Sequence, residues 1–166
     1  LLTGFDVSNF RKEHDLEEKV KIAKDNPDVK IIFSDAELFG DVAVAKTLNE
    51  YLEKSRNFLC NKNILQENDP DFFIDQNFVP TFSAVMVKRE KLLQCNFNTP
   101  IKQWLDWFLW AQFAACDFYY IDKKLTKWRA HKTSYINFID PKRDELSEFR
   151  HKVIDFVYSN KKPSVL

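Results

Sequence analysis

A run of apolar and aromatic residues between positions 104 and 116 constrains the fold of this chain more than any other stretch. Eleven of its thirteen residues are apolar or aromatic, so the run must be largely buried in a folded protein. Asp106 is its only charged residue. Burying a carboxylate costs on the order of several kcal/mol unless the group is paired or faces a polar cleft. A charge kept at the head of a buried helix is therefore a candidate for chemistry.

A structural role for Asp106 is the alternative. Thr99 and Pro100 have the pattern of an N-cap followed by proline at the first helical position. A helix that begins there places Asp106 in its second turn, too deep for a cap. A helix that begins nearer Trp104 makes Asp106 a first-turn acid, which the helix dipole favours. Both interpretations remain open at this point.

Size and composition narrow the function classes. The 166 residues are enough for one domain, assigned to residues 1–166, with a proper core. Lys and Arg total 25, as do Asp and Glu, and this balance gives no electrostatic case for binding nucleic acid. Aromatic residues make up 15% of the chain, which predicts an aromatic core or a stacking cleft. Two isolated glycines cannot build a glycine-rich phosphate loop.

Cysteine usage and hydropathy bear on location. The three cysteines are widely spaced and form no zinc-binding pattern, which is typical of reduced cysteines in a cytosolic protein. No signal peptide and no apolar run of membrane-spanning length is present in the sequence. The chain opens on residues that resemble the end of a buried strand, so we expect it to be a fragment of a larger domain.

Helical and strand patterns alternate along the chain, which is typical of a mixed, mainly parallel α/β sheet flanked by helices. The predicted helices span residues 15–25, 41–58 and 144–159, the last amphipathic, and a further one contains Asp106. The predicted strands span residues 1–5, 29–35, 78–87, 117–122 and 125–131. Residues 57–72 are polar and rich in turn formers, and predict a long loop.

Two polar groups are candidate binding residues. Arg129 and His131 are two positions apart on a predicted strand, so their side chains share a face and suit a phosphate-facing corner. A solvated Arg and a surface His at a strand end are the alternative. Asp6, Ser8 and Asn9 follow the first predicted strand. They predict either a plain turn or oxygen ligands at the carboxyl end of a strand.

Four segments, in their order and spacing, resemble the family 2 glycosyltransferases, an inverting group with the GT-A nucleotide-sugar fold. The segments are NPDVKIIFSDAEL at 26–38, FVPTFSAVMVKRE at 78–90, LDWFLW at 105–110 and FYYIDKKLTKWRAHKTS at 118–134. The third is similar to the family motif that carries the catalytic base, and the fourth to its closing Arg-x-His stretch. The resemblance covers roughly residues 5–135.

The resemblance implies a function and a site. Asp106 would be the general base that takes a proton from an acceptor hydroxyl as this oxygen attacks a nucleotide sugar, with inversion. A divalent cation, Mg²⁺ or Mn²⁺, would hold the leaving diphosphate. The implied donor and diphosphate residues are Asp6, Asp35, Arg129 and His131; the acceptor residues are Trp107, Phe82 and Ser83; the metal ligands are Asp6 and His131. The acceptor would be a glycan or lipid-linked glycan of bacterial-type polysaccharide biosynthesis, handled in the cytoplasm or at the inner face of the membrane by peripheral contact.

Three departures from the family pattern support an alternative function. Ser8 and Asn9 stand where the family carries metal-binding carboxylates, and such neutral oxygens hold a divalent cation less strongly. Leu105 replaces the usual acid before Asp106. The nucleotide-binding half that the family carries upstream has no counterpart here. The alternative is a non-catalytic, degenerate transferase domain that binds a glycan or a protein. The sheet edge left by the missing strands is expected to be covered by a second copy in a homo-oligomer, or by residues 57–72.

Overall fold

The computed structural model describes residues 10–60, 65–66, 73, 76–97, 105–114, 116–133 and 143–159. In chain order, its elements are β1 Phe10–Arg11, α1 Asp15–Asp25, β2 Ile31–Gly40, α2 Val42–Cys60, β3 Leu65–Gln66, a 3₁₀ turn Phe82–Ala84, β4 Val85–Val87, α3 Arg89–Leu92, α4 Leu105–Ala111, β5 Phe118–Ala130 and α5 Arg143–Ser159. The chain is a mixed α/β fold, as the sequence predicts.

A small mixed sheet forms the centre of the fold. Its path is β1-β5-β2-β4, and β3 also pairs with β5. The long central strands β2 and β5 are parallel, from Ile31 beside Phe118 to Gly40 beside Ala130. The pairings of β4 with β2, and of β1 and β3 with β5, are antiparallel. The predicted parallel character therefore holds for the central pair and not for the other described pairings.

The helix predictions agree well with the structure. Helix α1 spans Asp15–Asp25, as predicted. Helix α2 begins at Val42 because the carboxylate of Asp41 accepts hydrogen bonds from the N–H groups of Ala43 at 3.0 Å and Val44 at 3.1 Å. Helix α5 begins one residue before the predicted start.

Several strand predictions are wrong in their bounds. Strand β2 continues past residue 35 to Gly40, and β5 is one strand of 13 residues, not two. In the predicted strand 78–87, only Val85–Val87 is extended in the sheet; Pro80 cannot donate to a ladder. The predicted loop 57–72 contains the end of α2 and strand β3. The predicted strand 1–5 lies outside the described residues.

An irregularity at Asp35 explains why β2 was predicted too short. The β2–β5 register shifts between Ser34 and Asp35, and again between Asp35 and Ala36, so β5 carries extra residues there. On one side of this bulge, Ile31 and Phe33 share a core cluster with Leu59 of α2. On the other side, Ala36 clusters with Leu48 and Leu52 of the same helix. Helix α2 therefore covers both halves of β2.

The core is aromatic and is built around α4. Every residue of this helix from Trp107 to Ala111 is buried, whereas Leu105 is 43% exposed and Asp106 is partly buried. The predicted burial is therefore confirmed for the described helix except its first two residues. Trp110 lies in the main cluster with Phe33. Phe33 has the rings of Phe73, Phe118 and Tyr120 within 6.0 Å of its centroid. On its other side, α4 packs through Trp107 and Phe108 against α5.

Candidate functional site

Asp106 lies in the first turn of the described helix α4 and is partly buried. The side-chain amide of Asn77 donates a hydrogen bond to Oδ2 of Asp106 at 3.1 Å. The helix start predicted at Thr99 and Pro100 lies outside the described residues. The polar contact with Asn77 distinguishes Asp106 from a simple cap because its side chain joins another segment of the fold.

The surroundings of Asp106 change its acidity. Burial is the largest cause and raises the pKa of its carboxyl above the usual value, while the N–H of Trp107, the amide of Asn77 and its own N–H act in the opposite direction. The net effect is a carboxylate that binds a proton more readily than an exposed aspartate does. A raised pKa in a carboxylate is a property expected of a general base.

Tyr51 of α2 completes the polar cluster. Its hydroxyl donates a hydrogen bond to the main-chain carbonyl of Asn77. Burial, and secondly the negative charge of Asp106, raise the pKa of Tyr51, while a hydrogen bond with the Gln76 side chain opposes the shift. The hydroxyl therefore stays protonated and remains a donor. The Gln76 amide also donates to Ser55 Oγ at 2.9 Å, so two neighbouring residues fasten this segment to α2.

Asp35, a predicted donor-binding residue, faces α2. Its side chain is 6% exposed, and both carboxylate oxygens accept hydrogen bonds from Arg56, at 2.7 Å from Nε and 3.2 Å from Nη2. Oδ1 also accepts the N–H of Ala36 at 2.8 Å. In the described fold this carboxylate therefore joins β2 to α2, and a role in donor binding stays a prediction.

Arg129 and His131 lie together at the carboxyl end of β5. Arg129 is exposed between the buried residues Trp128 and Ala130, and the shared face of Arg129 and His131 stays a prediction. His131 follows the strand, and its Nδ1 lies 3.0 Å from Oγ1 of Thr133. Asp6, the other predicted metal ligand, lies outside the described residues. Within the described ranges, no group of three His, Cys, Asp or Glu side chains is placed to hold a metal ion.

The predicted acceptor residues make structural contacts in α4, beside it or with β5. The Trp107 indole donates to the carbonyl of Phe73 at 2.7 Å. Phe82 packs against Trp110, with ring centroids 5.2 Å apart. The carbonyl of Ser83 accepts a hydrogen bond from Thr126 at 3.4 Å. Phe82 and Ser83 are partly exposed, so a surface remains through which they could meet a ligand.

The structure thus places Asp106 and Trp107 in α4, with Phe82 packed on Trp110 of the same helix. Arg129 lies near the end of β5, and His131 follows that strand. Sequence reasoning missed Asn77 and Tyr51. Asn77 is 29 positions from Asp106, and no spacing or local pattern links the two. Tyr51 follows the inward position Leu48 by three residues, and this helical spacing was the one available signal.

Comparisons of the chain with protein-family models, with curated proteins and with solved structures find no match in any of the three. The resemblance to family 2 glycosyltransferases therefore stays a prediction from the residues. Among the helices in the described ranges, none has the length and apolar character needed to cross a bilayer.

Proposed function

We propose that the chain belongs to an inverting glycosyltransferase of the GT-A type, which transfers a sugar from a nucleotide-sugar donor to a glycan or lipid-linked acceptor. The observation that carries the proposal is the environment of Asp106. Its pKa is raised by burial, and a hydrogen bond from Asn77 holds one oxygen. A carboxylate in such a setting suits proton abstraction from a hydroxyl. The parallel pair of β2 and β5, with β4 antiparallel beside it, is compatible with the proposed fold.

The proposed reaction is a single displacement. The carboxylate of Asp106 accepts the proton of the acceptor hydroxyl as that oxygen forms a bond to the anomeric carbon. The bond from this carbon to the donor diphosphate breaks at the same time, and the nucleoside diphosphate leaves with the electron pair. Attack opposite the leaving group inverts the configuration. General-base catalysis of this kind contributes about 10² to 10⁴ in rate.

The diphosphate end of the donor is proposed to lie near Arg129 and His131. The guanidinium of Arg129 matches the geometry of phosphate oxygens. A divalent cation, for which Asp6 and His131 are the proposed ligands, would neutralise charge on the leaving diphosphate. The described residues supply only His131 of this set, so no step of the proposal is routed through the ion. We also propose a cytoplasmic location, with peripheral contact at the inner membrane face, and self-association.

Replacing Asp106 with Asn in the full-length gene product tests the proposal. The measurement is release of nucleoside diphosphate from UDP-glucose, UDP-N-acetylglucosamine, GDP-mannose and dTDP-rhamnose in the presence of p-nitrophenyl glycoside acceptors. We expect a loss of at least about a hundredfold. Asp25→Asn is the matched control, because Asp25 is exposed and pairs only across one turn with Lys21 in the described contacts. Turnover retained in Asp106→Asn would remove Asp106 from the mechanism and overturn the proposal.

A second candidate is a non-catalytic module that binds a glycan or a protein. One observation favours it: the Asp35 carboxylate, a predicted donor-binding group, is already held by Arg56. Thermal denaturation with UDP or GDP and Mn²⁺ separates the two candidates. A ligand that binds only the native state raises the melting temperature by mass action. A higher melting temperature in both wild type and Asp106→Asn supports the glycosyltransferase. An unchanged melting temperature together with no turnover supports the non-catalytic module.

A further inference from the structure

The geometry around α4 assigns a further role on the basis of the proposed function: we propose that Asn77 is a positioning residue for Asp106, and that Tyr51 holds Asn77 in place. Both ends of the Asn77 side chain are in use. Its Oδ1 accepts the N–H of Val79 at 3.2 Å, and its Nδ2 donates to Oδ2 of Asp106 at 3.1 Å. Reversing the amide would place two acceptors against each other, so the donor must face Asp106.

The main chain of Asn77 is fixed as well. The Tyr51 hydroxyl donates to its carbonyl, and Gln76 donates to Ser55 one turn further along α2. Helix α2 in turn lies on the sheet, where Leu48 and Leu52 pack against β2 and β5. Asn77 therefore links the Asp106 carboxylate to α2 and, through this helix, to the central strands of the sheet. This arrangement matches the supporting contacts that an active-site base needs.

The electrostatic surroundings single out Asn77. No charged side chain of the described residues is among the causes of the shift in the pKa of Asp106, and Asn77 supplies the one side-chain hydrogen bond among them. On α2 the titratable group affected by Asp106 is Tyr51. Helix α5 packs against α4 through the apolar side chains of Phe149 and Val153, with Arg150 between them in sequence. Loss of the amide should therefore alter both the acidity and the orientation of the base.

Three variants and a control test the proposal. Asn77→Asp keeps the acceptor for Val79 and replaces the donor with a second carboxylate, which should raise the pKa of Asp106 by about one unit or more. Asn77→Ser keeps an acceptor but is too short to reach Asp106, and serves if Asn77→Asp fails to fold. Tyr51→Phe should raise the pKa by less. Ser55→Ala breaks the neighbouring tie without touching Asn77 and should leave the pKa unchanged.

The readout is the titration of the Asp106 carboxyl carbon by ¹³C NMR in the folded full-length protein, assigned by its absence in Asp106→Asn. A higher pKa of Asp106 in the Asn77 variants, but not in Ser55→Ala, supports the proposal. An unchanged titration in both Asn77 variants overturns it. If the pKa does not rise in Tyr51→Phe, Tyr51 has no part in positioning Asp106. If the pKa of Asp106 rises by one unit, the rate of sugar transfer falls about tenfold on the acid limb of the pH–rate profile. The rate on the alkaline plateau does not change. The proposed function fails separately, if Asp106→Asn remains active.

Discussion

Arg56 holds both carboxylate oxygens of Asp35, and so fastens α2 to β2 at the point where the register with β5 shifts. The same guanidinium donates to the side-chain carbonyl of Asn49 at 3.1 Å and to the main-chain carbonyl of Ala36 at 3.4 Å. The side chains of Arg56 and Asp35 are 18% and 6% exposed. The pair is thus largely shielded from solvent and bidentate, an arrangement that arginine can make and lysine cannot.

We expect Arg56→Met to lower the free energy of unfolding by about 3 kcal/mol, because it leaves the buried Asp35 carboxylate without its partner. Arg56→Lys should lower the free energy of unfolding by less, since lysine keeps the positive charge but cannot make the bidentate contact. Lys54→Met, an exposed position on the same helix, is the control and should stay within about 0.5 kcal/mol of wild type. Urea denaturation measures all three. Equal stability of Arg56→Met and Lys54→Met would contradict a structural role for the pair.

A second buried pair lies within α1. Lys19 and Asp15 are fully buried and their charged atoms are 2.5 Å apart. Asp15 Oδ2 has no hydrogen-bond partner among the described residues, and Arg11 lies 3.8 Å from it. Lys19→Met should cost about 3 kcal/mol because it leaves a buried charge. The double variant Asp15→Leu with Lys19→Met should have an unfolding free energy close to that of wild type in the same denaturation assay. If the double variant loses as much stability as Lys19→Met alone, the cost does not come from the unpaired charge.

The same lysine predicts a pH dependence. The pKa of Lys19 in the folded chain is lowered below 10.5, and burial is the largest cause of this shift, although Asp15 opposes it. Between the lowered pKa and 10.5 the unfolded chain binds more protons, so the contribution of Lys19 to stability rises with pH over that interval. The stability of wild type relative to the double variant should therefore increase as pH approaches 10.5 from neutral. A difference that stays constant over this range would show that the folded pKa is not lowered.

Gly40 ends β2 in a conformation that side chains disfavour, with φ of 108°. A Cβ at this position would lie 2.4 Å from the carbonyl oxygen of Ala130, which also accepts the N–H of Asp41. Gly40→Ala should cost about 2 kcal/mol and displace the end of β5 that carries Arg129. Val42→Ala, at a side chain 83% exposed, is the control. Thermal denaturation tests the cost, and an unchanged melting temperature would contradict it.

Two tryptophans of α4 form a matched pair. The Trp107 indole N–H donates to Phe73, whereas that of Trp110 is buried with no hydrogen-bond partner among the described residues. Trp107→Phe removes this hydrogen bond, whereas Trp110→Phe removes none among the described contacts, so Trp107→Phe should cost about 1 kcal/mol more. Burial alone would predict the larger loss for Trp110→Phe, since Trp110 is the less exposed residue. Equal losses in chemical denaturation would show that packing alone decides.

The helices were predictable because their signals are local. Asp41 stands before an apolar stripe as an N-cap should, and α1 carries its own period and stop signal. The bounds of the strands were not predictable from the sequence, because they depend on which strands pair with one another in the sheet. Asp35 has the character of a turn residue, yet Arg56 from α2 makes its place in a strand favourable. The charged residues of β5 around position 123 look like a break between two strands, but the bulge keeps them in one ladder.

The candidate site was predictable only in part. Asp106 stands out in the sequence because a lone charge in an apolar run is costly, and the structure gives it a partly buried position with a raised pKa. Its partners could not be found in this way. Asn77 is polar in a segment full of polar residues, and Tyr51 is one aromatic among many. Their importance arises from proximity in space, which neither composition nor periodicity records.

The parallel ladder of β2 and β5 has a consequence for how the chain folds. Its first pair joins Ile31 to Phe118, so the whole segment between these two residues must be made before the centre of the sheet can close. Closing so long a loop is slow. Until then, β4 is the one strand of the described residues that can pair with β2. An exposed strand of this kind attracts other chains. We therefore expect β2 to be open to pairing with other chains until β5 docks beside it.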